Sequence, residues 1–387
     1  MSNLGDKGGI VLYLPFSNFY FWYFAFVGAF FPYFGLYLDW LGFDALKISV
    51  LLAIGPLSRV FAPYLFGSLA DHFGFHKYFL LSFASLAIIF FSIIHSEPTF
   101  YSMIGVLAGF GVFMSGILPL AEALTFKNLG ERSILYGRIR LWGSVGFILT
   151  VVCTGAFFEN AGLSFFWITI IIFLLTLIVS ISLMPCTADR PPTENLISVL
   201  GVFKTPGVGL MFLAFFFMQI SHGPFNGFFS LFLKDLGYSK VSIGLFWALG
   251  VVAEIVLFFY LPKVLKHYSL KQVLAFSALL AWLRFLLIAW YPQNPLLLCF
   301  SQGLHAFTFG AFHAAGIAAV NKAFTDNSAV RGQALYTSVS YGAGGGAGVL
   351  LSGICWSTFG GTWVFTGGAV FALLAFFLVC SVPKVLD

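Results

Sequence analysis

The sequence predicts an all-α integral membrane protein, with twelve transmembrane helices arranged as two pseudo-symmetric six-helix bundles. Three observations carry this expectation. Sixty per cent of the 387 residues are hydrophobic and only 9% are charged, with 51 Phe. No soluble domain could cover that much apolar surface, whereas a chain facing lipid needs no polar exterior. Lys and Arg concentrate on alternate loops, and the second half repeats the first at an offset of 195 residues.

The first apolar run extends from near Ile10 to about Leu38. It has neither a basic leading region nor a small-residue cleavage site, so it reads as a retained span and not as a signal peptide. Breaks in hydropathy place spans at 11–38, 46–69, 77–95, 98–126, 136–158 and 164–184 in the first half. In the second they fall at 207–233, 240–262, 270–291, 294–322, 332–357 and 361–381. Each is about 19 to 29 residues, enough to cross ~30 Å at 1.5 Å per residue, the longer ones with tilt. The only long polar connector is "PCTADRPPTENLISVLGVFKTP" (Pro185–Pro206). The expected organisation is a bundle over 1–184, a cytoplasmic linker over 185–206 and a second bundle over 207–387.

Fourteen Lys and Arg lie at the two ends and on alternate loops; the opposite face has only Lys47, Lys234 and Lys240. This bias predicts both termini in the cytoplasm of a bacterial-type inner (plasma) membrane. Five scattered cysteines, Cys153, Cys186, Cys299, Cys355 and Cys380, have no metal or redox spacing and are expected to be packing residues.

The repeat is explicit. At an offset of 195, "LDWLGF" (Leu38–Phe43) lands on "LKDLGY" (Leu233–Tyr238). Ile48, Ala53 and Gly55 fall on Ile243, Ala248 and Gly250, and Gly137 falls on Gly332. Two six-span repeats with a midplane cavity form a transporter architecture.

One loop carries a family resemblance. "GSLADHFGFHK" (Gly67–Lys77) resembles the signature loop of the major facilitator superfamily, with His72 and Phe75 in place of the usual basic residues. Its copy, "PKVLKHYSLK" (Pro262–Lys271), has Lys266 at the position of Asp71. The resemblance implies that Asp71 braces helices during conformational gating. "YGRIRLWGSVGF" (Tyr136–Phe147), "LGVVAE" (Leu249–Glu254) and Arg284 look like the phenylpropionate permease branch, which is related to lactose permease and to nucleoside:proton symporters. This implies a secondary transporter that works as a monomer.

Charges inside hydrocarbon are costly, so each should face a partner or a wet cavity. Arg59 lies in span two, Glu122 in span four, Glu254 in span eight and Arg284 in span nine, with Arg138 and Arg140 opening span five. Arg59 and Glu254 are repeat-equivalent with opposite charge, and so are expected to pair in one access state and part in the other. Glu122 with Arg140 resembles the sugar-binding pair of lactose permease. His222, His305 and His313 join the buried group. The last two are about 12 Å apart along an ideal helix and ~80° apart around it, so they could line one wall but not share a metal.

"GLHAFTF" (Gly303–Phe309) also resembles a lactose-permease span, with Thr308 where that protein has its proton-carrying Glu. A proton must then ride on Glu254, Glu122 or a histidine, and Glu254 with His305 as relay is the favoured route. The expected substrate-binding set is Arg59, Glu122, Arg140, His222, Arg284 and His313. Phe19, Tyr20, Tyr23, Phe225, Phe228 and Trp247 are expected near the cavity. Arginine forks suit carboxylates, so the expected cargo is a small organic, aromatic acid imported with protons. A nucleoside or sugar symporter and a small-molecule exporter are the alternatives.

Other classes fit less well. "YGAGGGAG" (Tyr341–Gly348) lies mid-span without the Lys-Ser/Thr of a phosphate loop, and reads as close helix packing. No Ser/His dyad, His-Glu-x-x-His helix or aspartate pair lies at membrane depth, so no enzyme is expected. Neither a metal nor a cofactor is called for beyond the proton gradient, and no nucleic-acid partner is expected.

Overall fold

The computed structural model describes residues 7–62, 66, 76–95, 98–186, 207–324 and 329–383. All regular structure among them is helical. In the first half α1 (Lys7–Trp40), α2 (Ala45–Ser58), α3 (His76–Ser92), α4 (Phe100–Leu129), α5 (Tyr136–Ala161) and α6 (Phe166–Ser182) occupy the six predicted spans. In the second, α7 (Val208–Ser221) and α8 (Gly223–Asp235) form a broken span seven, followed by α9 (Lys240–His267) and α10 (Leu270–Trp290). Span ten is α11 (Pro295–His305), a π-helical stretch (Ala306–Ala311) and α12 (Phe312–Ala323). Spans eleven and twelve are α13 (Ala329–Tyr336), a second π-helical stretch (Thr337–Gly344) and α14 (Gly345–Ser381). The last of these turns at Gly360, where φ is 76°.

The chain forms two compact units, Met1–Tyr37 with Phe61–Thr193, and Leu38–Val60 with Glu194–Asp387. α2 therefore packs with the second unit, a placement that a division at residues 185–206 does not anticipate. The cause lies in small residues facing it. Gly342, Gly345, Gly346 and Gly353 meet Val60, Pro56, Leu57 and Ser49 in turn, and Ser338 Oγ donates to the Val60 carbonyl at 2.7 Å. On the opposite side of the same stretch, a Cβ at Gly344 would stand 2.7 Å from the Phe216 carbonyl oxygen, and one at Gly348 2.6 Å from that of Ile220. The glycine run thus lets α2 and α7 approach span eleven from two sides, the close packing expected of it.

The repeat is visible in local geometry. Gly42 and Gly237 both have φ of 86°, a left-handed conformation that favours glycine, and both close the same helix end. The Gly42 N–H donates to the Asp39 carbonyl and that of Gly237 to Lys234, each at 2.9 Å. The Phe43 and Tyr238 N–H groups reach back to Leu38 and Leu233, completing the pair of bonds that ends a helix in this way. Asp44 and Ser239, again 195 apart, then cap the following helices by accepting from Lys47 N–H and Ser242 N–H.

Lysines satisfy the carbonyls at two helix ends. Lys77 Nζ donates to the Ser182 and Met184 carbonyls at 2.8 and 2.6 Å, and Lys271 Nζ to Val382 at 2.7 Å. Large apolar side chains such as Phe259 and Leu296 point outward, 73% and 78% exposed, as a lipid-facing exterior requires. Cys153, Cys186, Cys299 and Cys380 are also on that exterior and Cys355 is half-buried, which corrects the expectation that they pack inside.

Candidate functional site

The second unit has a buried polar cluster built from spans seven to eleven. Arg284, on α10, is fully buried. Its Nη1 donates to Thr308 Oγ1 at 3.2 Å and its Nη2 to Gln302 Oε1 at 3.3 Å. The face of the guanidinium lies 4.2 Å from the Phe225 ring centroid, and Phe285 is 5.4 Å away. Nε has no partner. A desolvated guanidinium whose acceptors among the described residues are all neutral is electrically incomplete; the Glu254 carboxylate is the opposite charge that acts on it.

Glu254, on α9, is paired with His305 at the end of α11: Oε1 lies 2.7 Å from Nε2, and both side chains are more than four-fifths buried. His305 Nδ1 is buried without a partner. An Nε2–H therefore donates to the carboxylate, and the opposite nitrogen is free to take or release a proton.

His305 begins an aromatic stack. Its ring lies 5.3 Å from Phe309 at an interplanar angle of 9°, and Phe309 lies 6.3 Å from His313. The expected ~80° separation of His305 and His313 assumed ideal α-helix geometry. The π-helical turns at 306–311 alter it: with hydrogen bonds from i to i+5, residues four apart come towards one face. His313 Nδ1 is 2.8 Å from Tyr341 Oη and 3.4 Å from Tyr336 Oη. Tyr341 lies in the second π-helical stretch, so the two irregular segments meet at one histidine.

His222 occupies the break in span seven. Its Nδ1 is 2.8 Å from the Met218 carbonyl, its ring is edge-on to Phe285 at 5.1 Å, and its Nε2 is buried without a partner. Pro224 follows, and having no N–H it starts a new helix readily. The motif "SHGP" (Ser221–Pro224) signals this break, but continuous hydropathy hid it.

Arg59, expected in span two, follows the last residue of α2. It caps the C-terminal end of α2 and is half-buried. The structure brings Glu254 to His305 and not to Arg59, although both charges act on the Tyr341 hydroxyl. Asp71 lies outside the described residues.

The first unit has its own cluster. Tyr136 Oη donates to Glu122 Oε1 at 3.0 Å, and the Tyr20 and Thr125 hydroxyls are 3.2 Å apart. Arg140 stacks on Phe24, with Cζ 3.8 Å from the ring centroid, and its charge acts on Glu122 without a direct ion pair. Arg138 is exposed. Phe19, Tyr20, Tyr23, Phe225 and Phe228 are all buried. Tyr136, Tyr336, Tyr341, Gln302 and Trp247 are polar neighbours of these groups. Of these, only Trp247 was expected near the cavity.

Known proteins agree with this architecture. The chain is 27% identical over 329 residues to a probable 3-phenylpropionic acid transporter of Escherichia coli (strain K12), covering 84% of this chain and 86% of that protein. It is 23% identical over 336 residues to the lactose permease of Citrobacter freundii, covering 76% and 77%. The crystal structure of the nucleoside transporter NupG matches with a TM-score of 0.81 at 20% identity, over 96% of this chain and 99% of that one. At that identity the likeness speaks for the fold alone. The profile of the MFS_1 like family matches residues 13–367, and the chain therefore belongs to this family of major facilitator transporters.

Proposed function

We propose that this transporter is a proton-coupled symporter that imports a small organic, aromatic acid by alternating access. The observation that carries the reading is the buried Arg284, with an unused Nε donor and, among the described residues, no carboxylate in bonding reach, beside the Glu254–His305 pair. A carboxylate substrate would supply the missing charge to Arg284 through charge-assisted hydrogen bonds. Phe225 and Phe285 beside the guanidinium, and Phe309 against His222 and His305, provide ring faces for an aromatic body. Glu254 takes the coupling proton and His305 relays it, through the one nitrogen that has no partner in this state. His222, with a free buried Nε2, and His313, on the tyrosine pair, complete this side of the binding set. Glu122, Arg140 and Arg59 are assigned to binding as well, Arg59 also to gating through the charge it places on Tyr341. Asp71 is assigned to gating by its loop motif.

The probable function of the Escherichia coli relative, named for 3-phenylpropionic acid, supports the substrate class. The lysine bias supports cytoplasmic termini in an inner membrane. The protein acts as a monomer driven by the proton gradient, without a cofactor.

The test is lumenal pH in proteoliposomes of the purified protein, challenged with aromatic acids, sugars and nucleosides at matched concentration. Protein-free vesicles control for passive entry of the neutral acid. Protein-dependent acidification by aromatic acids, absent in Glu254→Gln, is the expected result. Acidification by sugars or nucleosides alone reassigns the substrate, and alkalinisation identifies an antiporter.

A further inference from the structure

Six side chains of the second unit close a ring of contacts in which cationic or titratable groups alternate with phenylalanines. The His222 and Phe285 ring centroids are 5.1 Å apart, and Arg284 Cζ lies 5.4 Å from the Phe285 centroid and 4.2 Å from that of Phe225. Phe225 meets His305 at 5.5 Å, His305 meets Phe309 at 5.3 Å, and Phe309 returns to His222 at 6.5 Å. Each polar member has one buried nitrogen without a partner among the described residues: His222 Nε2, Arg284 Nε and His305 Nδ1. Their other atoms fix what these three can do. The Met218 carbonyl, 2.8 Å from His222 Nδ1, only accepts, so Nδ1 holds the hydrogen and Nε2 of the neutral ring is a bare lone pair. His305 is the reverse: Nε2–H donates to the Glu254 carboxylate, and Nδ1 is bare. Arg284 Nε–H is a permanent donor. One donor and two acceptors suit a neutral amide. They do not suit a carboxylate, whose oxygens only accept and would meet two lone pairs.

We propose that His222 is a second proton site, filled only when the substrate's carboxylate occupies this ring, with the proton shared between Nε2 and a carboxylate oxygen. The second site rests on the acid-symport reading and deepens it. A proton on the Glu254–His305 pair converts His305 first: the Glu254 O–H then donates to Nε2, and the hydrogen of the histidine moves to Nδ1, where it can donate to the acid. That pair has its own counter-charge, so its proton does not depend on the cargo. His222 is different. The ionisable groups that act on it are Arg284 from span nine and His305 from span ten, and Glu254 of span eight acts on both of these in turn. α14 meets the break around His222 with glycines, Gly348 against Gly223 and Gly368 against Ser221 and Pro224, and adds no charge there. A proton on Nε2 without an anion would place a second buried cation near Arg284, and an anion without that proton would meet a lone pair. Each makes room for the other, which couples acid and proton at one side chain. The proton enters from the side on which the acid binds and leaves with it on the other.

Isothermal titration of the whole chain in detergent tests the site without transport. Phenylacetate is the probe, an anion between about pH 6 and 8, and phenylacetamide is its neutral match. Buffers of different ionisation enthalpy count the protons taken up per ligand bound, and each proton makes Kd rise about tenfold per pH unit. Phenylacetate is expected to take up at least about one proton on binding the unsubstituted protein, and phenylacetamide, which the neutral ring already complements, about none. His222→Gln puts an amide N–H near the position of Nε2 and needs no proton there, so the count for phenylacetate should fall by about one. In Glu254→Gln the proton on His222 should remain. Phenylacetate bound without proton uptake, an amide that takes up as many protons as the acid, or an unchanged count in His222→Gln would overturn the second site and leave the acid reading standing. The acid and amide are compared on the unsubstituted protein, so a variant that fails to fold does not protect the proposal. No binding of phenylacetate at any of these pH values overturns the site as drawn, and the proteoliposome panel then decides the acid reading separately.

Discussion

Glu254 Oε1 and His305 Nε2 stand 2.7 Å apart, one carried by span eight and the other by the last α-helical residue before the π-helical segment of span ten. The Glu254–His305 pair therefore sits at a point where the backbone hydrogen-bond pattern changes register. Such segments concentrate at functional sites because the extra residue re-aims the side chains that follow it. Here it places Phe309 and His313 in line with His305.

A relay needs a residue that exchanges a proton, and a hydrogen bond alone does not suffice. His305→Asn preserves a donor towards Glu254 but cannot carry charge. The expected outcome is substrate binding by thermal shift close to the unsubstituted protein, with substrate-dependent acidification of the lumen lost. Acidification at the original rate in this variant would remove His305 from the proton path.

Arg284 separates a structural role from a binding one. Among the described residues Arg284 hydrogen-bonds only to the neutral Thr308 and Gln302, so an apolar side chain of similar length removes a desolvated charge without breaking a direct ion pair. Arg284→Met should thus melt at or above the original temperature in detergent, yet bind the acid substrate roughly 10- to 150-fold more weakly, the range for hydrogen bonds to a charged group. A fall in melting temperature with unchanged affinity would make Arg284 a tether between Gln302 and Thr308 and nothing more.

The fold was legible in the sequence for a physical reason: span length and hydropathy are fixed by bilayer thickness, and the repeat preserved Gly42 with Gly237 because a left-handed turn needs the same residue twice. Arg284, Glu254 and His305 were legible as candidates since charge in lipid stands out. What remained hidden depends on hydrogen-bond register. The π-helical turns at 306–311 and 337–344 leave no hydropathy signature, so the helical wheel separated His305 from His313. Tertiary approach was hidden too: Glu254 and Arg59 have complementary charge and equivalent positions, but the cap of α2 puts Arg59 by Tyr341.

In the first unit, Tyr136 is the hydrogen-bond donor to Glu122. Tyr136→Phe keeps the ring stacked on Phe126, 4.4 Å between centroids, and removes only the hydroxyl. The half-buried carboxylate then loses a donor, at a cost of about 1–3 kcal/mol. In a double-mutant cycle with Glu122→Gln, the coupling measured from thermal unfolding should be about 0.5–3 kcal/mol. Additive effects would show that the contact carries no energy.

Span eleven provides a steric prediction with its own control. Gly348 faces α7 and α8, where a Cβ would be 2.6 Å from the Ile220 oxygen and 3.1 Å from Gly223 Cα. Backbone cannot retreat as a flexible side chain can, so Gly348→Val should cost about 1–3 kcal/mol or more through overpacking and lower the melting temperature. Gly345 faces α2, and a Cβ there meets only Pro56 Cβ, at 3.6 Å, an ordinary contact. Gly345→Ala should therefore fold normally, with up to about 1 kcal/mol gained from helix propensity. If span eleven also slides against α2 during transport, the added methyl will slow uptake in a protein that melts no lower than the original. Thermal unfolding and uptake measured on the same two preparations distinguish packing from motion: loss of both in Gly348→Val, and loss of uptake alone in Gly345→Ala.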